Sequence, residues 1–302
     1  MVEISASMVK ELREKSGAAM MDCKKALVES SGDLDKAFEW LRQKGVATAS
    51  KKASRSASEG LVVGQVAPDH KTAVLLELNC ETDFVARNDA FIQLANELAA
   101  EALQTKPKDA ESFLDQKYGN STVREHISGA IAKTGENMVL RRLSTFEAKG
   151  PNSVVGLYVH SVGGKLGALF ELDGTKALET DKASALTREL AMHVVSAKPT
   201  FVSKEEVPAE TIDNERRIES GKADLADKKP EMRDKIVQGR VDKIMAERCL
   251  LEQPFVKDPS QTVSKYLAGK GKELDGTELK PVRFDLYILG ETQSESNGSD
   301  AE

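Results

Sequence analysis

A carboxylate and a phenyl ring stand side by side at Asp83-Phe84, within the run Asn79-Cys80-Glu81-Thr82-Asp83-Phe84-Val85-Ala86-Arg87-Asn88-Asp89. The apolar run from Ala73 to Leu78 before it reads as a strand, and Ala90 to Leu98 after it reads as a helix. Such junctions lie at the surface, where binding residues gather. The residue types leave two readings open. In one, Thr82 or Asp83 caps the helix while Phe84 tucks beneath it as a staple. In the other, the acid and the ring are held out toward a second molecule.

Covalent chemistry finds little support. There is no Gly-x-Ser-x-Gly, no His-Glu-x-x-His and no dinucleotide fingerprint after a strand. Gly163-Gly164-Lys165 lacks the spacing of a phosphate-binding loop and opens a strand, so it reads as a hairpin turn. Cys23, Cys80 and Cys249 are far apart, and His70, His126, His160 and His193 are equally scattered. That pattern predicts reduced thiols, no metal site and no cofactor. A net charge of −6 and 5% aromatic residues, not interleaved with basic ones, argue against a nucleic-acid partner. No apolar run is long enough to span a bilayer. The N-terminus lacks signal- and transit-peptide patterns, so the expected location is the compartment of synthesis, the cytoplasm.

The elements that carry the junction form a repeat. Leu61 to Val66 leads through a turn into Ala73 to Leu78, and Ser153 to His160 leads through Gly163-Gly164 into Leu166 to Leu172. Both copies contain Val-Val-Gly, both second strands end in Glu-Leu, and a helix follows each, over 90–103 and 184–197. This order predicts an α+β fold with a duplicated hairpin-plus-helix core. The second copy reads Asp173-Gly174-Thr175 where the first reads Thr82-Asp83-Phe84. A purely structural cap has no reason to differ so much between copies.

The rest of the 302 residues divides around this core. Residues 1–45 predict a three-helix unit. Its first helix is capped by Ser5 or Ser7 and ends at Gly17; its third starts at Asp33, turns Leu34, Ala37, Phe38 and Leu41 inward, and ends at Gly45. Met20 and Met21 are consecutive and cannot both enter one seam, which leaves one of them as an exposed contact. Residues 46–59 read as a linker that opens with a few helical turns. Core subdomains are expected over 60–150 and over 151–207 with 253–289. Between them, 208–252 reads as an antiparallel coiled-coil hairpin, with helices opened by Pro208 and Pro230 and a stripe from Met232 to Met245. The Ser- and Glu-rich segment 290–302 is expected to be disordered.

Residues 2 to 289 resemble the bacterial-type elongation factor Ts family, exchange factors of elongation factor Tu. The resemblance rests on Val9-Lys10-Glu11-Leu12-Arg13 and Gly17-Ala18-Ala19-Met20-Met21-Asp22-Cys23-Lys24-Lys25-Ala26-Leu27. It rests also on Glu77 to Arg87, Lys133-Thr134-Gly135-Glu136-Asn137, Ala191-Met192-His193-Val194, Lys198-Pro199 and Gln253-Pro254-Phe255-Val256. It implies a ubiquitin-associated-like N-terminal unit and a non-enzymatic role in translation elongation. It implies a partner, elongation factor Tu in GDP-bound and nucleotide-free forms, joined as a heterodimer or a 2:2 assembly. The location is cytoplasmic, or the plastid stroma for a plastid-encoded chain. By resemblance Asp83 and Phe84, flanked by Thr82 and Val85, enter the partner's GTP-binding domain and disturb Mg²⁺ and phosphate binding. Leu12, Arg13, Met20 and Met21 match an N-terminal contact with the same domain, and His160 matches a contact from the second repeat. The competing class is an interaction scaffold that binds partners without promoting exchange; a complex that persists equally in saturating GDP distinguishes it.

Overall fold

Ser5 accepts a hydrogen bond from the Met8 amide (3.3 Å) at the start of the first helix. The computed structural model describes residues 4–16, 18, 20–161, 163–225 and 228–291, so Gly17 and the tail from residue 292 lie outside it. Helices α1 (Ala6–Ser16), α2 (Met20–Glu29) and α3 (Leu34–Lys52) enclose Val9, Leu12, Cys23, Ala26, Leu27 and Ala37. Asp33 caps α3 by accepting from the Asp35 and Lys36 amides (3.1 and 3.0 Å).

The first half of the core is β1 (Glu59–Val66), β2 (Thr72–Cys80), α4 (Asp83–Ala86), α5 (Asp89–Thr105), α6 (Ala110–Leu114), β3 (Lys117–Tyr118), β4 (Ser121–Thr122), α7 (Val123–Thr134) and β5 (Met138–Glu147). Antiparallel pairing gives the order β1-β2-β5. Every residue of the central β2 is buried, because α5 covers one face with Phe91, Leu94, Ala95, Leu98, Ala99 and Ala102 and the second sheet covers the other, against Ala73 and Leu75.

Gly45 does not end α3, contrary to the sequence expectation. It is buried against α7, with its Cβ direction 3.7 Å from the Ser128 carbonyl oxygen. The helix continues to Lys52, held on α7 by an Arg42–Glu125 ion pair of 2.5 Å and by Lys52 Nζ, which donates to the Gly135 carbonyl. Tertiary contact thus outweighs the roughly 1 kcal/mol by which glycine disfavours a helix. Phe38 also departs from expectation: it is exposed, while Ala37 is buried and Leu34 and Leu41 pack against the helical core as expected.

The second half contains β6 (Val154–Val159), β7 (Leu166–Gly174), α8 (Thr180–Ala197), α9 (Ala209–Ser220), α10 (Pro230–Arg248), β8 (Pro254–Phe255), β9 (Asp258–Thr262), α11 (Val263–Glu273) and β10 (Leu279–Ile288). Its sheet runs β10-β7-β6 and is covered outside by α8. The inner faces of the two sheets meet through Val62, Ala73, Leu75, Phe146, Val155, Leu169 and Tyr287. The core is therefore layered helix, sheet, sheet, helix.

The duplication extends to the third strands. Glu77 and Glu171 are both fully buried, and each is paired with an arginine of its own sheet: Arg142 Nε at 2.8 Å and Arg283 Nε at 2.6 Å. Each arginine then crosses to the other half. Arg142 donates to the Ile288 carbonyl (2.8 Å) and Arg283 to the Glu147 carbonyl (2.9 Å). Backbone amides cross too, Gly290 to Glu77 (2.9 Å) and Lys149 to Glu171 (2.5 Å). A buried carboxylate is costly unless paired and fully hydrogen-bonded, and both are.

Helices α9 and α10 form a hairpin stitched at its base by the Leu250 amide to the Phe201 carbonyl (2.9 Å). Pro208 and Gly221 flank α9, and Pro230 begins α10. Val237, Val241 and Met245 form the buried seam, while Met232 is exposed.

Candidate partner-binding site

The junction after β2 is not the start of the long helix. The chain forms the four-residue α4 and then begins α5 afresh, with Asn88 as its cap. Thr82 caps α4, its hydroxyl accepting from the Val85 amide (3.3 Å). Of the two candidate caps it is thus Thr82 that serves; Asp83 is the first helical residue, and its carboxylate pairs with Arg87 at 3.1 Å. Ala86 is buried beneath. Phe84 is 83% exposed, the largest value for a large apolar side chain among the described residues. It is not a staple. The ring stands in water at the tip of a fixed turn.

Several groups hold that turn. Thr82 donates twice to Glu136, from its amide to Oε2 (3.1 Å) and from its hydroxyl to Oε1 (2.7 Å). The Asn137 amide donates to Glu81 Oε1 (2.6 Å), and Asn137 Nδ2 donates to the Arg55 carbonyl (2.9 Å). Arg55 also lies 3.5 Å from the Glu81 carboxylate. Beneath them Cys80 donates to the Thr82 carbonyl (3.2 Å). Burial, with Glu136 nearby, pushes its thiol up to about 12, so it stays protonated at neutral pH. Glu81, Glu136 and Asn137 were not singled out from sequence for this support, although the run Lys133 to Asn137 marked the region.

His160 is half-buried, its Nδ1 3.1 Å from the Tyr158 hydroxyl. It follows β6 at the end where the second hairpin turn meets β1: the Val62 amide donates to the Gly164 carbonyl (2.7 Å), and Lys165 pairs with Glu59 at 3.0 Å. Glu59 opposes Cys80 in the β1–β2 register. His160 and Asp83-Phe84 therefore belong to the same end of the two sheets.

The N-terminal residues divide. Met20 and Met21 are both exposed, at 55% and 74%, so the pair goes further than the single exposed methionine expected. Arg13 is exposed and Val85 half-buried. Leu12 is fully buried in the helical core, so its side chain supports this unit and offers no surface. A cavity of about 580 Å³ lies between this unit and α5 and α7, with Phe38, Leu41, Phe91 and Tyr118 on its walls. His126 lies 3.5 Å from Glu97 at its edge. Among the described residues no group of His, Cys, Asp and Glu could hold a metal ion, and no helix is long and apolar enough to cross a membrane.

Residues 81–291 match the family profile described as Elongation factor TS. A protein of a Nostoc species named Elongation factor Ts is 44% identical over 305 residues, covering 98% of this chain and 96% of its own length. Its namesake in Clostridium novyi is 45% identical over 292 residues, covering 95% of this chain and 93% of its own. That of Clostridium tetani is 43% identical over 292 residues, covering 95% and 94%.

Proposed function

The chain belongs to the elongation factor Ts family, and on that premise we propose that it promotes GDP release from elongation factor Tu during translation elongation. The observation that carries the reading is Phe84, a rigid apolar ring exposed on a short helix that is braced from behind. A surface ring with so little cover is an anchor for a pocket on another protein. Asp83, beside it, brings a carboxylate to the same place.

Exchange needs no covalent step, and the chain is read as a non-enzyme. A ligand shifts an equilibrium only through differential affinity for the two states. The factor must bind nucleotide-free partner better than GDP-bound partner, and by reciprocity it weakens GDP to the same degree. Phe84 acts as the wedge, filling a space that opens only when the partner's helices shift. Asp83 places negative charge near the phosphate and Mg²⁺ end of the partner's nucleotide site. Arg13, Met20 and Met21 supply a second patch from the N-terminal unit, and His160 supports the first from the other repeat.

The test follows release of a fluorescent GDP analogue from elongation factor Tu. Wild type is compared with Asp83→Ala, Phe84→Ala and the double variant. A double variant that releases nucleotide as fast as wild type removes the reading.

A further inference from the structure

We propose that Glu136 is the positioning residue that aims Asp83 and Phe84 at the partner, a role that rests on the exchange reading above. A helix of one turn does not hold its own shape, because nucleation is unfavourable and few bonds follow it. The Phe84 ring has no packing of its own to fix it. The start of α4 is fixed from outside. Both donors of Thr82 end on the two oxygens of one carboxylate, while the same hydroxyl accepts from the Val85 amide. Hydrogen bonds to an ionised acceptor are the strong ones, and the shared hydroxyl carries their polarisation into the turn.

Glu136 is itself held. It follows Gly135, whose left-handed backbone (φ 79°) closes α7, and the Gly135 carbonyl accepts from Lys52. The connection is reciprocal: Glu136 takes the Thr82 amide, and Glu81 takes the Asn137 amide.

The second repeat supplies an internal control. There the same two links recur with hydroxyls in place of carboxylates. They set Thr175 opposite Glu81 and Lys176 opposite Thr82, so the counterpart of Thr82-Asp83-Phe84 is Lys176-Ala177-Leu178 and not the Asp173-Gly174-Thr175 expected from sequence. Thr175 Oγ1 accepts from the Glu278 amide (3.0 Å), and Thr277 Oγ1 accepts from the Lys176 amide (3.1 Å). The brace thus belongs to the duplicated scaffold. The second repeat joins its two threonines to each other (3.3 Å) and sends Lys176 Nζ to the Asp275 carbonyl (2.6 Å). Only the first uses carboxylates, ends both Thr82 donors on one of them, and follows the brace with an exposed ring. A link needed only for folding had no reason to differ in this direction.

If Glu136 preorganises the turn, its loss reduces the fraction of factor ready to bind and raises the apparent dissociation constant by that fraction. The saturated rate is not affected. Phe84→Ala, in contrast, removes the wedge and lowers the saturated rate. The experiment titrates Glu136→Ala, Glu136→Gln and wild type into elongation factor Tu carrying a fluorescent GDP analogue. In parallel, indole anisotropy is read in a Trp40→Phe, Phe84→Trp background, free of partner. Expected for Glu136→Ala are a half-saturating concentration about tenfold higher, a saturated rate near wild type and a faster local anisotropy decay. Glu136→Gln keeps one acceptor oxygen but loses the charge and turns an amide donor toward Thr82, so it is expected to fall between Glu136→Ala and wild type in both half-saturating concentration and anisotropy. An unchanged half-saturating concentration or an unchanged anisotropy overturns the proposal. Failure of the exchange reading looks different: Phe84→Ala then matches wild type in rate, while the anisotropy still reports on Glu136.

Discussion

The guanidinium of Arg142 lies 4.0 Å over the ring of Tyr287, so a residue of the first sheet is stacked on a residue of the second. Its counterpart Arg283 lies 4.0 Å over Phe146 in the reverse direction. Each arginine holds a buried glutamate of its own sheet and an aromatic ring of the other. The two halves are interlocked by exchanged contacts, and the relative placement of His160 and Asp83-Phe84 depends on that interlock.

Arg142→Met is expected to lower core stability by about 3–5 kcal/mol, because Glu77 is left charged and buried with only neutral donors. Adding Glu77→Leu removes the stranded charge and is expected to recover most of the loss. Urea unfolding of the two variants decides it. A cost below about 1 kcal/mol for the single variant means that the pair does not hold the halves together.

His193 predicts an acid-sensitive second half. Its Nδ1 accepts from the Val256 amide (3.1 Å), which leaves the ring proton on Nε2 facing Gln253 Oε1 at 3.0 Å. Burial lowers its pKa, and the Gln253 bond opposes this only in part. The folded value lies below the unfolded one, so the neutral ring's contribution is complete above about pH 6.5. As pH falls, the unfolded chain takes up the proton first and stability declines, by at most about 1.4 kcal/mol per unit from this group. Urea midpoints at pH 7.5 and 5.5 should differ more for wild type than for His193→Asn. Equal differences would falsify the assignment.

Much of this was legible in sequence because it is local. Repeated Val-Val-Gly, the capping residues and the proline and glycine boundaries of the hairpin act within a few positions. The exchanged arginines were not legible, since Arg142 meets the Ile288 carbonyl across 146 residues of chain. Local rules also misjudged Gly45, where a helix on another unit decides the outcome, and Phe38, where helical periodicity expects burial. The Thr82 junction stood out by its difference between repeats, but the carboxylate bracing it is 54 residues away.

The glycine of the second Val-Val-Gly makes a sharp test of the packing. A methyl on Gly156 would lie 2.3 Å from Thr187 Oγ1 and 3.0 Å from the Thr187 backbone carbon. Gly156→Ala is therefore expected to destabilise by about 1–3 kcal/mol through overpacking. Gly239 in α10 has nothing within 4 Å of the added methyl. Gly239→Ala is expected to stabilise by roughly 0.8–1 kcal/mol. Opposite signs in urea unfolding support the close helix–strand approach; equal effects reject it.

The two exposed patches should separate in kinetics. Met20 and Met21 are exposed on a helix end remote in sequence from the wedge, with 55% and 74% of their surface free. A contact made equally well with GDP-bound and nucleotide-free partner strengthens both complexes and shifts no equilibrium between them. Met20→Ala with Met21→Ala is therefore expected to raise the half-saturating concentration about tenfold while leaving the saturated release rate unchanged. Phe84→Ala is expected to do the reverse, lowering the saturated rate, because on the proposed reading its pocket exists in only one state of the partner. Both variants remove exposed surface, so their urea midpoints should stay within about 0.5 kcal/mol of wild type. If the methionine pair instead lowers the saturated rate, the N-terminal unit takes part in displacing nucleotide and is not merely a tether.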